Sequence, residues 1–272
     1  MKKTFLLLTA LVFSVLGVNA QNFEKMWAEV EACKMKDLPR SAIDEAEKVR
    51  KKAERKGNFA WKTRAEFELL ALWAGISTDS LKVYVERLNA ELSGDELYVQ
   101  NLKDLKTLNL ICHALLGDAC NMLSRKLRAN KDMREDYKRK SEEHFALSLS
   151  DWNVLADASV ADYKPLMRTL GREEDMRLYS NDMLNVLAAF SLSQQERYAG
   201  REAYELYDSL SRFYAGRGNR NGALLMKINA LNSKRHLDEW GERLSRDDFK
   251  DSLLTLARMN ADIEAGADAY DV

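Results

Sequence analysis

Histidine and cysteine are the side chains of this sequence best suited to binding a transition metal, and the chain has three of each. His113, His144 and His236 lie far apart, and none has a second histidine or a cysteine three or four residues away. A metal site built on helices needs paired ligands of this kind on one helix face. The sequence therefore predicts no metal site.

Signatures of hydrolytic catalysis are absent as well. The sequence has no Gly-x-Ser-x-Gly elbow, no Ser-x-x-Lys and no His-Glu-x-x-His. Neighbouring carboxyl groups such as Glu173-Glu174 and Asp247-Asp248 do not converge on one bond, because adjacent side chains of a helix point about 100° apart. We therefore expect no catalytic residue and no enzyme activity.

A glycine-rich stretch, Gly216-Arg217-Gly218 followed by Gly222, has part of the pattern of a dinucleotide-binding loop. No predicted strand precedes it, and its second spacing is wrong for a loop that binds pyrophosphate at a helix N-terminus. Glycines in the left-handed conformation commonly end helices, so we interpret the stretch as a turn between two helices. The sequence predicts no cofactor.

Aromatic side chains of an exported helical protein can line a groove for sugars, and this chain has five tryptophans. Their helical spacing from residues such as Val30, Leu70 and Ile76 favours positions in a hydrophobic core instead. The tryptophans are Trp27, Trp61, Trp73, Trp152 and Trp240.

The three cysteines, Cys33, Cys112 and Cys120, are too few for a disulfide-rich fold and odd in number. On one helix, the step of eight residues from Cys112 to Cys120 is a rise of about 12 Å, which a disulfide cannot bridge. We interpret the cysteines as small buried side chains, of which at most one pair can be oxidised.

The elements that carry these side chains are predicted to be helices. Apolar residues recur at steps of three and four, whereas the alternating runs typical of strands are nearly absent. The sequence therefore predicts an all-α fold with no β-sheet, in which charged side chains lie opposite each apolar stripe. Examples of these stripes are Phe23-Trp27-Val30, Ala42-Ala46-Val49-Ala53, Leu81-Tyr84-Leu88-Leu92, Ala203-Leu206-Leu210-Phe213 and Phe249-Leu253-Leu256-Ile263.

Breaks between the stripes indicate short turns. Asp37 is predicted to cap the helix that starts near Pro39. Gly57-Asn58 suits a left-handed helix end, and one residue of Ser77-Thr78-Asp79 is predicted to cap the next helix. These short connections place successive helices side by side and antiparallel.

Helices of about fifteen residues joined by short turns are the unit of helical-hairpin arrays. The best match is Ala203–Leu231, where a helix with Tyr204 and Tyr207, a Gly-Asn turn and a second helix resemble a tetratricopeptide hairpin. We predict an array of antiparallel, tetratricopeptide-like hairpins. Residues 95–129 form either one long helix or two helices that meet at Gly117-Asp118.

The first twenty residues have the composition of a cleavable export signal. Two lysines precede an apolar run from Phe5 to Val18, and Val18-Asn19-Ala20 places small residues at a signal-peptidase site. The run is shorter than the roughly 20 residues of a membrane span, and an uncleaved anchor is the alternative. No cysteine lies near the cleavage site, which argues against a lipid-anchored lipoprotein. The protein is therefore predicted to be exported, to the periplasm or outside the cell.

The formal net charge of −1 gives no electrostatic footprint for nucleic acid or an acidic membrane surface. Behind the signal peptide at residues 1–20, the composition predicts an N-terminal helical subdomain at residues 21–150. An irregular connector at residues 151–174 leads to a C-terminal hairpin subdomain at residues 175–272. The helix that carries the last apolar stripe has a polar outer face, which predicts a monomer. We also expect no membrane span after signal cleavage.

Four stretches of the sequence carry a family resemblance when taken in order. They are Asn22–Val49 with Lys36-Asp37-Leu38-Pro39, His144–Met167 with Asp162-Tyr163-Lys164-Pro165-Leu166, Arg177–Phe190, and Tyr204–Leu231. Together they resemble the N-terminal helical region of bacterial alpha-2-macroglobulin-like proteins. In that family the helical region precedes β-sandwich domains and a bait segment that trap proteases, often with a Cys-x-Glu-Gln thioester.

The chain departs from this family in the parts that trap proteases. None of its cysteines is followed by Glu-Gln at the thioester spacing, no β-rich stretch is present, and Met176 stands where the family pattern has serine. The resemblance implies a non-catalytic scaffold or docking module that works with a protein partner or with downstream domains of a larger polypeptide. The alternative is a free-standing periplasmic adaptor that binds a peptide, a protein or a glycan.

Overall fold

The computed structural model describes residues 22–93, 102–127, 129–170, 182–195, 200–235 and 244–263. Most of these residues lie in helices, and no β-strand occurs among them. An isolated antiparallel bridge joins Ser159 to Asp182. The predicted all-α fold is therefore confirmed. The predicted signal peptide at residues 1–20 lies outside the described residues.

Short connections join the helices along much of the described chain. The segment that was predicted to be irregular contains two short α-helices and a 3-10 turn at Val160–Tyr163. The helices are α1 (residues 22–35), α2 (Pro39–Arg55), α3 (Phe59–Ile76), α4 (Thr78–Ser93), α5 (Leu102–Lys126), α6 (Lys131–Ser148), α7 (Trp152–Ala156), α8 (Lys164–Met167), α9 (Met183–Gln195), α10 (Gly200–Gly216), α11 (Arg220–Arg235) and α12 (Arg246–Met259).

The contacts between residues divide the chain into two compact units. Unit 1 consists of Met1–Asp95 and Met122–Arg134, and it includes helices α1 to α4. Unit 2 consists of Glu96–Asn121 and Glu135–Val272, and it includes helices α7 to α12. Helix α5 contributes residues to both units. The subdomain boundaries at residues 150 and 174 stay a prediction.

An aromatic cluster lies in the core of unit 1. The ring of Phe23 stacks on Trp61 at a centroid distance of 5.5 Å, and Trp27 packs against the same indole at 5.8 Å. The Arg64 guanidinium lies 4.1 Å from the ring centre of Trp27, so a cation–π attraction adds to the burial of the indole. The apolar stripe of α1, completed by Val30, is therefore part of the core as predicted.

Helix α9 lies in the interior of unit 2. Every residue from Asp182 to Leu192 is buried, so apolar side chains cover all faces of this helix and not one stripe. The Asp182 carboxylate caps the helix by accepting a hydrogen bond from the Asn185 N–H at 3.0 Å. It also accepts one from the Tyr214 hydroxyl of α10 at 2.6 Å. The Tyr214 ring in turn packs on Gly222 of α11.

The last helix, α12, packs on α11 through a single face. Phe249, Leu253 and Ala257 are buried, and Leu256 and Ile263 pack against them with part of their surface exposed. The charged residues predicted to lie on the opposite face are exposed. The apolar stripe that the sequence predicts here is confirmed at Phe249, Leu253 and Leu256, with Ala257 as an additional member. The helix ends at Met259, so the prediction is wrong for Ile263, which packs against this core from beyond the helix.

Three turns between helices share one backbone geometry. Asp37, Gly57 and Gly218 each follow a helix in the left-handed conformation, with φ angles of 54°, 61° and 74°. In each turn, the N–H of the next residue bonds to the carbonyl oxygen five residues earlier, at 2.9 to 3.0 Å. The predicted left-handed ends at Gly57 and Gly218 are confirmed, whereas Gly216 is the last residue of α10.

The predicted helix cap at Asp37 is wrong. Leu38 is the N-cap residue of α2, and it makes no side-chain capping bond, although Pro39 starts the helix as predicted. Asp37 occupies the left-handed position before it, which aspartate tolerates better than most residues other than glycine. At the start of α4, the Ser77 hydroxyl accepts a hydrogen bond from the Ser80 N–H at 3.3 Å and acts as the predicted cap.

Helix α5 is continuous over Leu102–Lys126, so the one-helix alternative holds for the described part of this segment. Gly117 lies inside the helix, where a Cβ atom would be 2.8 Å from the ring of Phe145 on α6. The Gly117 carbonyl also accepts a hydrogen bond from the Ser141 hydroxyl of α6 at 2.6 Å. The absent side chain therefore allows α5 and α6 to approach closely.

We expect Gly117→Ala to lower the free energy of unfolding by about 1–3 kcal/mol, because the new methyl group displaces the buried Phe145 ring. Gly216→Ala in the same unit is the matched control, since nothing lies within 4 Å of its Cβ position. Its higher helix propensity should leave stability unchanged or raise it by up to about 1 kcal/mol. Denaturant melts compare the two variants, and equal stabilities would contradict the close packing.

Candidate functional site

Two of the three histidines meet between helices α5 and α6. The Nδ1 atoms of His113 and His144 are 2.9 Å apart, which is hydrogen-bond distance, so one neutral imidazole donates to the other. Two nitrogens bound to one zinc ion at about 2.1 Å each would be separated by about 3.4 Å. No cluster of three metal-ligating side chains occurs among the described residues. His236 lies outside the described residues.

The sequence could not reveal this pair, because the 31 residues between the two histidines carry no local signal of contact. Burial and the neighbouring ring lower the pKa of His113 to about 4. Burial likewise lowers the pKa of His144, while Glu143 and Lys140 act on it in opposite directions. The pair is therefore uncharged at neutral pH and forms a polar contact between the two helices.

Acidification should weaken the fold through this pair. The unfolded imidazoles bind protons near pH 6.5, whereas folded His113 binds one near pH 4, so stability is lost as the pH falls from about 6.5 toward 4. Because the His113 ring is partly exposed, solvent screening reduces the effect, and we expect a loss of about 1 kcal/mol between pH 7 and pH 5.

Thermal melts of the wild type and of the His113→Gln/His144→Gln variant measure this effect. Carboxylates with lowered pKa values, such as Asp136 and Asp208, lose their contribution at lower pH and remain in both proteins. The variant should therefore lose less stability than the wild type between pH 7 and pH 5. The same pH dependence in both proteins would contradict the assignment.

A buried carboxylate, Glu66, is the strongest candidate for an acid or base in unit 1. Its Oε2 atom accepts hydrogen bonds from Arg87 at 2.5 Å and from the Tyr84 hydroxyl at 3.0 Å. Arg50 lies 3.6 Å from Oε1. Burial raises the pKa of Glu66, and the two arginines oppose that shift. Since Glu66 lies on α3 and its partners lie on α2 and α4, we interpret the cluster as a structural network of ion pairs and hydrogen bonds that connects three helices.

The cysteines differ in exposure. Cys120 is buried, and burial raises the pKa of its thiol to about 12, which makes it a poor nucleophile. Cys33 and Cys112 are only half-buried, so the prediction of three buried side chains is wrong for these two. None of the three forms a disulfide. Cys112 and Cys120 lie on one helix, where eight residues of helical rise place them too far apart to be bridged.

An open groove in unit 2 is lined by residues of α6, α7, α9 and α10. Its volume is about 290 Å³, at the lower end of the roughly 300–1,000 Å³ found for small-molecule sites. It therefore suits a single large side chain better than a cofactor. The residues that line it are Glu142, Phe145, Ala146, Leu149, Trp152, Leu192, Glu202, Ala203 and Leu206.

Several contacts fix the wall that Trp152 provides. Asp151 caps α7 by accepting a hydrogen bond from the Val154 N–H at 3.1 Å. The indole meets the ring of Phe213 on α10 edge to face, with the ring centres 5.5 Å apart. Arg217 beyond the end of α10 binds Asn153 at 3.0 Å and forms an ion pair with Asp157. These contacts fix the position of α7, and with it Trp152, against α10.

This position corrects part of the interpretation of the tryptophans. Trp27 and Trp61 are buried in the core of unit 1 as predicted, and Trp73 packs against that core while half-buried. Trp152 is half-buried because one side of its ring faces the groove. Trp240 lies outside the described residues.

The rim of the groove is acidic. Glu142 on α6 and Glu202 on α10 are exposed, and neither is engaged in an ion pair among the described residues. In contrast, neighbouring Glu143 pairs with Arg139 at 2.5 Å. The groove is not predictable from the sequence, because its residues come from four helices and only their spatial arrangement distinguishes them from ordinary core and surface positions.

A second cavity, with a volume of about 360 Å³, is lined mostly by polar residues. Asp118, Arg168, Thr169 and Gln194 contribute polar groups to it, together with Leu170, Phe190 and Ser193. Because this lining is mostly polar, it offers less burial to an apolar side chain, and the groove beside Trp152 is the better candidate for a functional site.

Comparison of the chain with models of protein families, with curated proteins and with solved structures finds no match. None of the described helices combines the length and apolar composition that crossing a bilayer requires. The resemblance to alpha-2-macroglobulin-like proteins therefore stays a prediction.

Proposed function

We propose that this protein is an exported, non-catalytic helical module that binds a polypeptide partner through the groove beside Trp152. The observation that carries the proposal is a side-chain-sized groove with an apolar floor, walls from four helices and an acidic rim. Such a groove offers burial of an apolar anchor residue, which is how most interfaces gain their affinity.

A repeat architecture is part of this proposal. Two pairs of residues that touch between the parallel helices α1 and α3 are each 34 positions apart, namely Trp27 with Trp61 and Lys34 with Glu68. A period of 34 residues is typical of tetratricopeptide hairpins. The shared turns at Gly57 and Gly218 further support an array of antiparallel helical hairpins, which commonly presents partner-binding surfaces.

Two settings for such a module are compatible with its sequence. In the first, the chain is the helical scaffold of an alpha-2-macroglobulin-like protein, and its groove binds downstream domains or another protein. In the second, it is a free-standing periplasmic adaptor for a peptide, a protein or a glycan. Both need export, which intact-mass measurement of secreted material tests. The mature chain should begin at Gln21, and a secreted chain that retains Met1 would contradict cleavage.

Selection of peptides from a random display library on the purified protein tests the interaction function. Leu149→Gln changes a half-buried residue that follows the end of α6 and lines the groove, whereas Leu147→Gln changes an exposed residue of α6 that does not line it. We expect selected peptides to bind the wild type and the Leu147 variant equally, and the Leu149 variant at least about tenfold more weakly. Selection that enriches no peptide, or peptides that bind both variants equally, would overturn the proposal. Circular dichroism melts check that both variants fold.

A further inference from the structure

We propose that the groove beside Trp152 selects an apolar side chain flanked by lysine or arginine in the partner polypeptide. This inference rests on the interaction function proposed above and adds the chemistry of the partner. It follows from the composition of the groove, whose floor consists of apolar side chains and whose rim carries two carboxylates.

The floor defines the anchor. Phe145 and Leu192 are buried beneath the groove, and Leu149, Trp152 and Leu206 are half-buried around it. A volume of about 290 Å³ holds one leucine- or phenylalanine-sized side chain, and a polar side chain there would lose its hydrogen bonds to water without replacement. The anchor is therefore aliphatic or aromatic.

The rim defines the neighbours of the anchor. Glu142 lies on α6 and Glu202 on α10, and no basic residue is among the described residues that line the groove. Two other carboxylates on these helices do have cationic partners, since Asp208 pairs with Lys227 and Arg212, and Glu143 pairs with Arg139. Two carboxylates without an ion partner among the described residues therefore give the groove a negative potential, which favours cationic side chains beside the anchor and repels acidic ones.

Three short peptides separate these contributions when titrated into the ¹⁵N-labelled protein and followed by NMR. They are blocked pentapeptides with the sequences Gly-Lys-Leu-Lys-Gly, Gly-Glu-Leu-Glu-Gly and Gly-Lys-Ser-Lys-Gly. A single anchor with two surface ion pairs implies a Kd on the order of 1 mM for the first peptide. We expect it to shift the signals of the groove residues, and to bind at least about fivefold more tightly than either of the others.

Charge variants then test the rim. Glu142→Gln/Glu202→Gln should weaken the Lys-Leu-Lys peptide about fivefold and remove its advantage over the Glu-Leu-Glu peptide. Glu143→Gln/Glu205→Gln is the matched control on the same two helices, since neither residue lines the groove, and it should leave the affinity unchanged. Sodium chloride at 0.5 M should weaken binding of the wild type through screening.

The outcomes distinguish this inference from the function on which it rests. Equal binding of the Lys-Leu-Lys and Glu-Leu-Glu peptides, or no effect of the rim variant, overturns the selection for basic neighbours. If display-selected peptides still depend on Leu149 in that case, the interaction function stands without this specificity. If no peptide in either experiment depends on Leu149, both proposals fail.

Discussion

Trp27→Ala is expected to lower the free energy of unfolding by about 3–5 kcal/mol, the cost of truncating a large aromatic side chain in a packed core. Trp27 is 4% exposed, packs on Trp61 and lies beneath the Arg64 guanidinium. Its indole N–H also donates to Glu31 at 3.0 Å. The substitution therefore leaves a cavity and removes one of the contacts that join α1 to α3.

Denaturant melts followed by the fluorescence of the remaining tryptophans, which include Trp61, measure this loss. Met35→Ala at the end of α1 is the control, because Met35 is 83% exposed and its truncation should change stability by less than about 0.5 kcal/mol. A loss below about 1 kcal/mol for Trp27→Ala would mean that the indole is a surface contact. In that case the aromatic cluster would not be the core of unit 1.

Asp182→Ala is expected to cost about 2–4 kcal/mol in unit 2. Loss of an N-cap costs about 1 kcal/mol, and a buried hydroxyl left without its acceptor costs about 1–3 kcal/mol more. Both effects apply, since the Asp182 carboxylate caps α9 and accepts the hydrogen bond of the fully buried Tyr214. The substitution therefore affects two of the helices at the centre of unit 2.

A double-mutant cycle with Tyr214→Phe isolates the second effect. Once the hydroxyl is removed, Asp182→Ala should cost only the cap, so the two substitutions should be less than additive by about 1 kcal/mol or more. Asp151→Ala is a matched cap control, because Asp151 caps α7 from a more exposed position. Additive effects, or equal losses for Asp151 and Asp182, would contradict the buried role of Tyr214.

Local patterns in the sequence predict the helices well. Phe23, Trp27 and Val30 of one stripe, and Phe249 and Leu253 of another, are buried as expected. The helical period of 3.6 residues can be recognised within a short segment of sequence, so it needs no knowledge of tertiary contacts. Glycine turns are equally local, since they depend on the backbone freedom of one residue. The error at Asp37 is also informative, because aspartate suits both an N-cap and a left-handed position.

Contacts between distant parts of the chain were not predictable in this way. The meeting of His113 with His144, and of Glu66 with Arg87, requires knowledge of which helices are neighbours. The same applies to Glu142 and Glu202, which resemble ordinary solvated positions until the groove between their helices is seen. Residue type and spacing therefore predicted the elements of this protein, and only tertiary packing shows the candidate site.

The turns at Gly57 and Gly218 also affect how the chain folds. Each connects two helices through three residues, so the α2–α3 and α10–α11 hairpins close short loops at low entropic cost. Proteins rich in such local contacts fold within microseconds to milliseconds, and helical arrays can nucleate at more than one hairpin. The α2–α3 hairpin can therefore form without waiting for α10 and α11, which shortens the time that its apolar faces are exposed.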